Sequence, residues 1–240
     1  PGLAIEEIRL HSAKTDKRLA KRSGDCPTEQ VTIAGVRATW YGAPELAARK
    51  GTLLYLHGGA WVLHLPALYG TFAAKLSTTT GLRVLLVDYR LAPEHQFPAA
   101  ADDCLAVYRS LVEAAGTRPH VIAGDSAGGN LALTTLMRAR DAQLPLPCSA
   151  VLLSPATDLT LNSPSMRYNV HADPMFGEGL KDLVAPLYCP TTDRSDPLLS
   201  PLFGQWGGLP PLYFLAGSSE ILLDDSVRAY DRAQQAGTLA

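Results

Sequence analysis

Apolar residues in this chain fall into short runs set between polar, glycine-rich and proline-rich stretches. Val31-Thr32-Ile33 and the run from Val36 to Tyr41, on either side of Ala34-Gly35, predict an antiparallel hairpin. Residues 51–56 form a core strand. From there the pattern alternates: a helix over 68–80, a buried strand over 83–89, a helix over 99–115, a strand over 121–123, a helix to about 140, and a strand over 150–154. Strands that are apolar almost throughout, alternating with helices, predict a mostly parallel sheet covered by helices on both faces.

The alternation breaks at about 161–209, where Pro164, Pro174, Pro186, Pro190, Pro197 and Pro201 stand in a stretch without a strand pattern. Helical insertions and loops across the upper edge of the sheet are expected there. A strand over 211–217 and a helix over 224–235 follow, with Gly237 as a helix stop. Thr238 to Ala240 reads as a strand just beginning. The first 28 residues stand apart, with Leu3, Ile5, Ile8 and Leu10 on one side of a short helix. The basic run Lys14, Lys17, Arg18, Lys21, Arg22 is read as a solvated face.

At 240 residues and 47% hydrophobic content the chain can bury one large α/β core. A net charge of −2 gives no electrostatic case for nucleic acid. No apolar run approaches the roughly 18 residues of a membrane span. Cys26, Cys104, Cys148 and Cys189 are scattered, which points to free thiols in a reducing cytoplasm and to neither a disulfide framework nor a zinc site. The sequence opens on Pro1, so the natural start is expected upstream of it.

Candidate chemistry is concentrated at Gly124-Asp125-Ser126-Ala127-Gly128. A G-x-S-x-G turn between a strand and a helix holds its serine on a sharp bend at the carboxyl edge of a sheet, with neighbours small enough for close backbone approach. The following helix directs its free N–H groups and positive dipole end beside that serine, where an ester carbonyl would become an oxyanion. A glycine-rich phosphate cradle is the competing reading of the pentapeptide alone. His57-Gly58-Gly59-Ala60-Trp61 follows another strand, and its Gly58 and Gly59 amides supply one half of an oxyanion hole, with the Ala127 amide as the other. Asp125 is expected to shape the turn by hydrogen bonding to backbone. Asp88, Arg90 and Glu94 read as a buried polar network holding a loop.

HGGAW, then Asp88 to His95 with Phe97-Pro98-Ala99-Ala100, then GDSAGGN resemble the hormone-sensitive-lipase family of α/β-hydrolases. Leu153-Ser154-Pro155 with Asp158, Ser200-Pro201, and Glu220 to Ser226 fit the same family, in family order. The resemblance implies a serine carboxylesterase of the α/β-hydrolase fold, acting on short- to medium-chain esters through an acyl-enzyme with no cofactor or metal. Ser126 would be the nucleophile and Gly58, Gly59 and Ala127 the oxyanion donors. Residues 1–28 and an insertion at about 161–209 would form a cap on the catalytic domain, 29–240. Trp61, Asp125, Tyr168 and Phe176, with Met166 and Met175, are candidates to line the substrate pocket. The acid belongs in the loop after the strand at 211–217, where Glu220 stands; Asp224 and Asp225 are rivals placed where a helix N-cap is wanted.

The order in this fold is Ser, acid, His, and no histidine follows Glu220. The base is therefore expected beyond residue 240, together with a last strand and helix. The expected partner is a small-molecule ester, and a homodimer is an open option. An amide or lactone hydrolase is the same-class alternative. A base-less small-molecule receptor on the same scaffold is the alternative of a different class.

Overall fold

Residues 5–19, 26–114, 119–176, 184 and 186–240 are described by the structure, a computed structural model. The expected hairpin forms from β1 (Thr28–Ile33) and β2 (Val36–Tyr41). It closes with Ile33 opposite Val36, and both Ala34 and Gly35 take positive φ. Two positive φ values are what a two-residue turn needs to match the twist of its strands.

Five further strands, β3 (Thr52–Leu56), β4 (Arg83–Asp88), β5 (Pro119–Asp125), β6 (Ser149–Leu153) and β7 (Leu212–Leu215), complete a sheet ordered β1-β2-β4-β3-β5-β6-β7. Pairing is antiparallel from β1 to β4 and parallel beyond. β3 is buried at every residue because it lies between β4 and β5 with helices over both faces. Alternate residues serve the two faces. Leu54, Leu56, Leu85 and Ile122 join the main core with helices α4 (Ala99–Glu113) and α5 (Ala127–Asp141). Leu53, Tyr55, Val84 and Ala123 pack with Tyr69 and Ala73 of α3 (Pro66–Thr80).

Helix α3 starts two residues earlier than its apolar pattern suggests, because Pro66 occupies its first turn, where the missing N–H costs nothing. The remaining helices are α1 (Ile5–Leu19), α2 (Glu45–Arg49), the single turn α6 (Ser165–Tyr168) and α7 (Leu223–Gln235). Between 161 and 209 the described residues carry α6, helical backbone at 186–188, a 3₁₀ turn at Pro201–Phe203 and loops, with no strand.

Three expectations need correction. Leu10 is exposed while Ile5 packs against the main core, and α1 is anchored as well by polar groups: Arg9 reaches Val62 O, Ala92 O and Glu94, and Asp16 accepts the Ala67 and Leu68 amides at the start of α3. Residues 238–240 form no strand, although Leu212 N donates to Leu239 O. Asp88, Arg90 and Glu94 are three separate ion pairs, to Arg37, Asp103 and Arg9, at partly exposed positions rather than one buried network. Leu3 and the basic Lys21 and Arg22 lie outside the described residues.

Candidate active site

Strand β5 ends at Asp125 and α5 begins at Ala127, so Ser126 is the whole turn between them, with φ 51° and ψ −117°. Left-handed backbone at a non-glycine residue costs about 1–3 kcal/mol and persists only where its surroundings over-determine it. Here Ser126 N donates to Leu153 O at 2.9 Å, and Ser126 O accepts from both Asn130 N and Ala156 N at 3.1 Å. The buried Asn130 side chain adds bonds to Ala156 O and Leu199 O. A Cβ at Gly124 would lie 2.3 Å from Gly128 O, and one at Gly128 would lie 2.0 Å from Leu56 O. Both glycines are therefore required by backbone contact. As the first residue of α5, Ala127 has an amide with no partner inside the helix.

Asp125 does more than shape its own turn. Its Oδ1 accepts Tyr55 Oη at 2.8 Å and the Gly58 amide at 2.9 Å, and its Oδ2 accepts Tyr69 Oη at 2.7 Å. Burial raises the Asp125 carboxyl above its ordinary range, against the lowering effect of the two tyrosine hydroxyls and the Gly58 amide. Burial, reinforced by the Asp125 charge, pushes both tyrosines far above theirs. This corrects two expectations. Asp125 is a hub behind the turn and does not line the cavity at Ser126. The Gly58 amide is already donated to Asp125 and is not free for an oxyanion. A Cβ at Gly58 would come within 2.2 Å of Asp125 Oδ2, so glycine is needed here for the carboxylate.

Beyond Gly58 the chain turns through Gly59, Ala60 and Trp61 at φ 117°, 54° and 59°. Gly59 O accepts from Val62 N and Leu63 N, while no bond is made by the Gly59 or Ala60 amide among the described residues. Sequence reasoning missed Ala60, whose amide follows Gly59 in the same turn. His57 stacks on Tyr89 at 4.3 Å, its Nδ1 lies 2.7 Å from Gly58 O, and burial lowers it to about 4, so it is neutral at physiological pH.

An apolar cavity of about 30 Å³ opens beside Ser126, walled by Ala60, Trp61, Leu159, Met166, Phe176 and Leu222. Trp61 is held flat against Tyr188 at 4.5 Å. Tyr168 and Met175 are excluded from it. Tyr168 is 58% exposed with its hydroxyl on Asp224, and Met175 is 79% exposed. In a single helical turn Met166 and Tyr168 face different ways, which places one in the cavity and the other in solvent. Asp158 and Asp225 also line it.

Glu220 follows β7 in a short loop, its Oε1 accepting from Gly217 N at 2.8 Å. Its rivals are otherwise engaged. The N-cap of α7 is Leu222, so Asp224 and Asp225 are not caps. Asp224 takes Ser165 N and Tyr168 Oη; the fully buried Asp225 takes Thr157 N, Asp158 N and Ser163 Oγ. No histidine lines the cavity among the described residues. They contain no group of three or more potential metal ligands and no helix long and apolar enough to cross a membrane.

A family model described as the alpha/beta hydrolase fold matches residues 53–240. An acetyl-hydrolase of Streptomyces hygroscopicus is 38% identical over 213 residues, covering 88% of this chain and 71% of the relative. An esterase of Acinetobacter venetianus is 38% identical over 216 residues, covering 88% and 70%. A crystal structure of an esterase from the bacterial hormone-sensitive lipase family superposes with a TM-score of 0.89 at 36% identity, covering 99% of this chain and 80% of the other. Set beside a strained serine turn between β5 and α5 and a glycine turn after β3, these likenesses settle the ancestry: the chain belongs to the hormone-sensitive-lipase family of α/β-hydrolases.

Proposed function

We propose that the chain hydrolyses small carboxylic esters through an acyl-enzyme formed on Ser126. The observation that carries this is Ser126 itself, held at φ 51° at the mouth of an apolar cavity with the unpaired Ala127 amide beside it. Ser126 Oγ attacks the ester carbonyl, and the Gly59, Ala60 and Ala127 amides receive the oxyanion. Collapse of the tetrahedral intermediate expels the alcohol and leaves the acyl group in the cavity, and water repeats the attack to release the acid. A neutral base must take the serine proton. In this reading the base is a histidine oriented by Glu220, and none of the six histidines of these 240 residues lines the cavity. The cavity's small volume and apolar walls suit short acyl chains.

Four free cysteines without a disulfide support a cytoplasmic setting. The test is labelling of the natural full-length protein with a fluorophosphonate. The adduct is expected on Ser126, and Ser126→Ala is expected to lose nearly all ester turnover. An adduct on a different serine would remove the assignment. The absence of a histidine at the cavity favours one second reading, a base-less receptor; it is the better one if the full-length protein binds small esters or acids without turning them over.

A further inference from the structure

The loop that carries Glu220 is fastened by one short segment of the insertion, residues 163–176. Asn169 is at the centre of that contact. The residue is 7% exposed, and its Nδ2 donates to Ser218 O at 3.1 Å and to Glu220 O at 2.8 Å. Because both partners are carbonyls, the amide can be oriented in only one way. The Asn169 carbonyl itself accepts from Ala172 N and Asp173 N, and its own amide donates to Ser165 O, so the residue that grips the loop is itself fixed.

Two neighbours complete the fastening. Asp173 Oδ2 accepts Ile221 N at 2.8 Å, while its Oδ1 accepts Met175 N and Phe176 N. Ser165 and Asp224 exchange bonds: Ser165 N donates to Asp224 Oδ2 at 2.8 Å and Asp224 N donates to Ser165 Oγ at 3.0 Å, while Ser165 Oγ donates to Ile221 O. Met166, Ile221 and Leu222 form a small apolar cluster of their own with Phe176 against it. The same segment thus supplies Met166 and Phe176 to the acyl wall and holds the backbone of residues 218–224.

We propose that Asn169 is a positioning residue for the Glu220 carboxylate, fixing the carbonyls of Ser218 and Glu220 so that the acid meets its histidine at one distance. This rests on the reading of Glu220 as the triad acid. No other described side chain holds either carbonyl. Loss of the clamp removes the Asn169 donor from both part-buried carbonyls, leaving Glu220 O only the longer bond from Leu223 N at 3.2 Å, and frees the loop to shift. A misplacement of about 1 Å costs on the order of a hundredfold in rate.

The experiment is a double-mutant cycle on ester turnover by the full-length protein, with wild type, Asn169→Ala, Glu220→Gln and the double variant. Asn169→Ala is expected to lower kcat about a hundredfold with KM within about threefold. In the Glu220→Gln background the same change should cost less than about threefold, because the group it positions is gone. Asn169→Ser, which retains one donor, should recover part of the rate; it also carries the cycle if Asn169→Ala does not fold. Equal costs in the two backgrounds, or a loss of melting temperature without a loss of kcat, would overturn the inference while leaving Glu220 as the acid. If Glu220→Gln alone turns over esters like wild type, it is the acid reading that fails, and the positioning role falls with it.

Discussion

The Asp125 carboxylate accepts the amide of Gly58 at 2.9 Å, joining the Ser126 turn after β5 to the glycine turn after β3. The two turns are 67 residues apart in sequence and are brought together by the pairing of β3 with β5. What the bond requires is an acceptor at that point, and a neutral one would serve. In Asp125→Asn, Oδ1 can retain Tyr55 and Gly58 while Nδ2 donates to Tyr69 Oη, so activity should stay within about fivefold. Asp125→Ala strands three donors, which should cost about 3 kcal/mol or more of stability and about a hundredfold in kcat. Urea unfolding and ester kinetics on the two variants check this; equal damage from both would show that the charge itself matters.

Strain in the turn after β3 gives a second expectation. Ala60 has φ 54°, where an L-residue with a Cβ is disfavoured by about 1–2 kcal/mol. Ala60→Gly should raise the melting temperature by about 2–4 °C and retain ester turnover. Gly58→Ala should do the opposite, since its Cβ would lie 2.2 Å from Asp125 Oδ2. Calorimetry of the two variants side by side distinguishes them.

How much of this could be read from the sequence depends on how local each signal is. The Ser126 turn, the hairpin at Ala34-Gly35 and the alternation of strands and helices are set by residues adjacent in the chain, and the expected elements formed with ends shifted by a few residues. The donation of the Gly58 amide to Asp125 cannot be read locally, because its partner lies on another strand. Asp224 and Asp225 resemble caps by the local rule, but the chain brings residues 157–165 close enough to claim both carboxylates. Asn169 carries no sequence signal at all, since an asparagine after a single helical turn is an ordinary way to end one. Met166 and Tyr168 divide by the phase of that same turn, which the pattern of apolar positions does not fix at four residues.

Asp225 makes stability depend on pH in a direction opposite to that of an ordinary ion-paired carboxylate. It is fully buried and raised to about 6, by burial first and by the Asp158 charge last, against the lowering effect of the Ser163 hydroxyl and the Asp158 and Thr157 amides. Arg228 sits on Asp158 and Ser163 beside it. With an unfolded value of about 4, the folded state binds the extra proton between about pH 4 and pH 6. The stability this group contributes is therefore present below about pH 4 and lost as pH rises through about 6, a change of roughly 3 kcal/mol. Asp225→Asn should remove that dependence and be at least as stable as wild type at pH 8. Urea unfolding from pH 4.5 to 8 on both proteins measures the difference, and parallel curves would refute it.

The acyl wall yields the last expectation. The cavity of about 30 Å³ beside Ser126 holds little more than the smallest acyl groups. Its walls differ in how freely they can be cut back. Trp61 is stacked on Tyr188 and lies in the oxyanion turn, so shortening it would disturb the amides of Gly59 and Ala60 as well as the cavity. Met166 lies on α6, outside the backbone of that turn, with its side chain among Ile221 and Leu222. Met166→Ala should therefore lengthen the cavity without changing the backbone that carries the Gly59 and Ala60 amides. Each methylene newly buried is worth about 0.8 kcal/mol, or roughly fourfold in kcat/KM. For hexanoyl relative to acetyl esters the ratio should then rise about tenfold or more in Met166→Ala, two or more methylenes being accommodated, while kcat for the acetyl ester falls only a few-fold. Removing the side chain should also cost about 2–5 kcal/mol of stability, so the assay belongs well below the variant's melting temperature. The measurement is kcat/KM for p-nitrophenyl acetate, butyrate and hexanoate on the two full-length proteins. An unchanged chain-length profile would show that the acyl group lies elsewhere than against Met166.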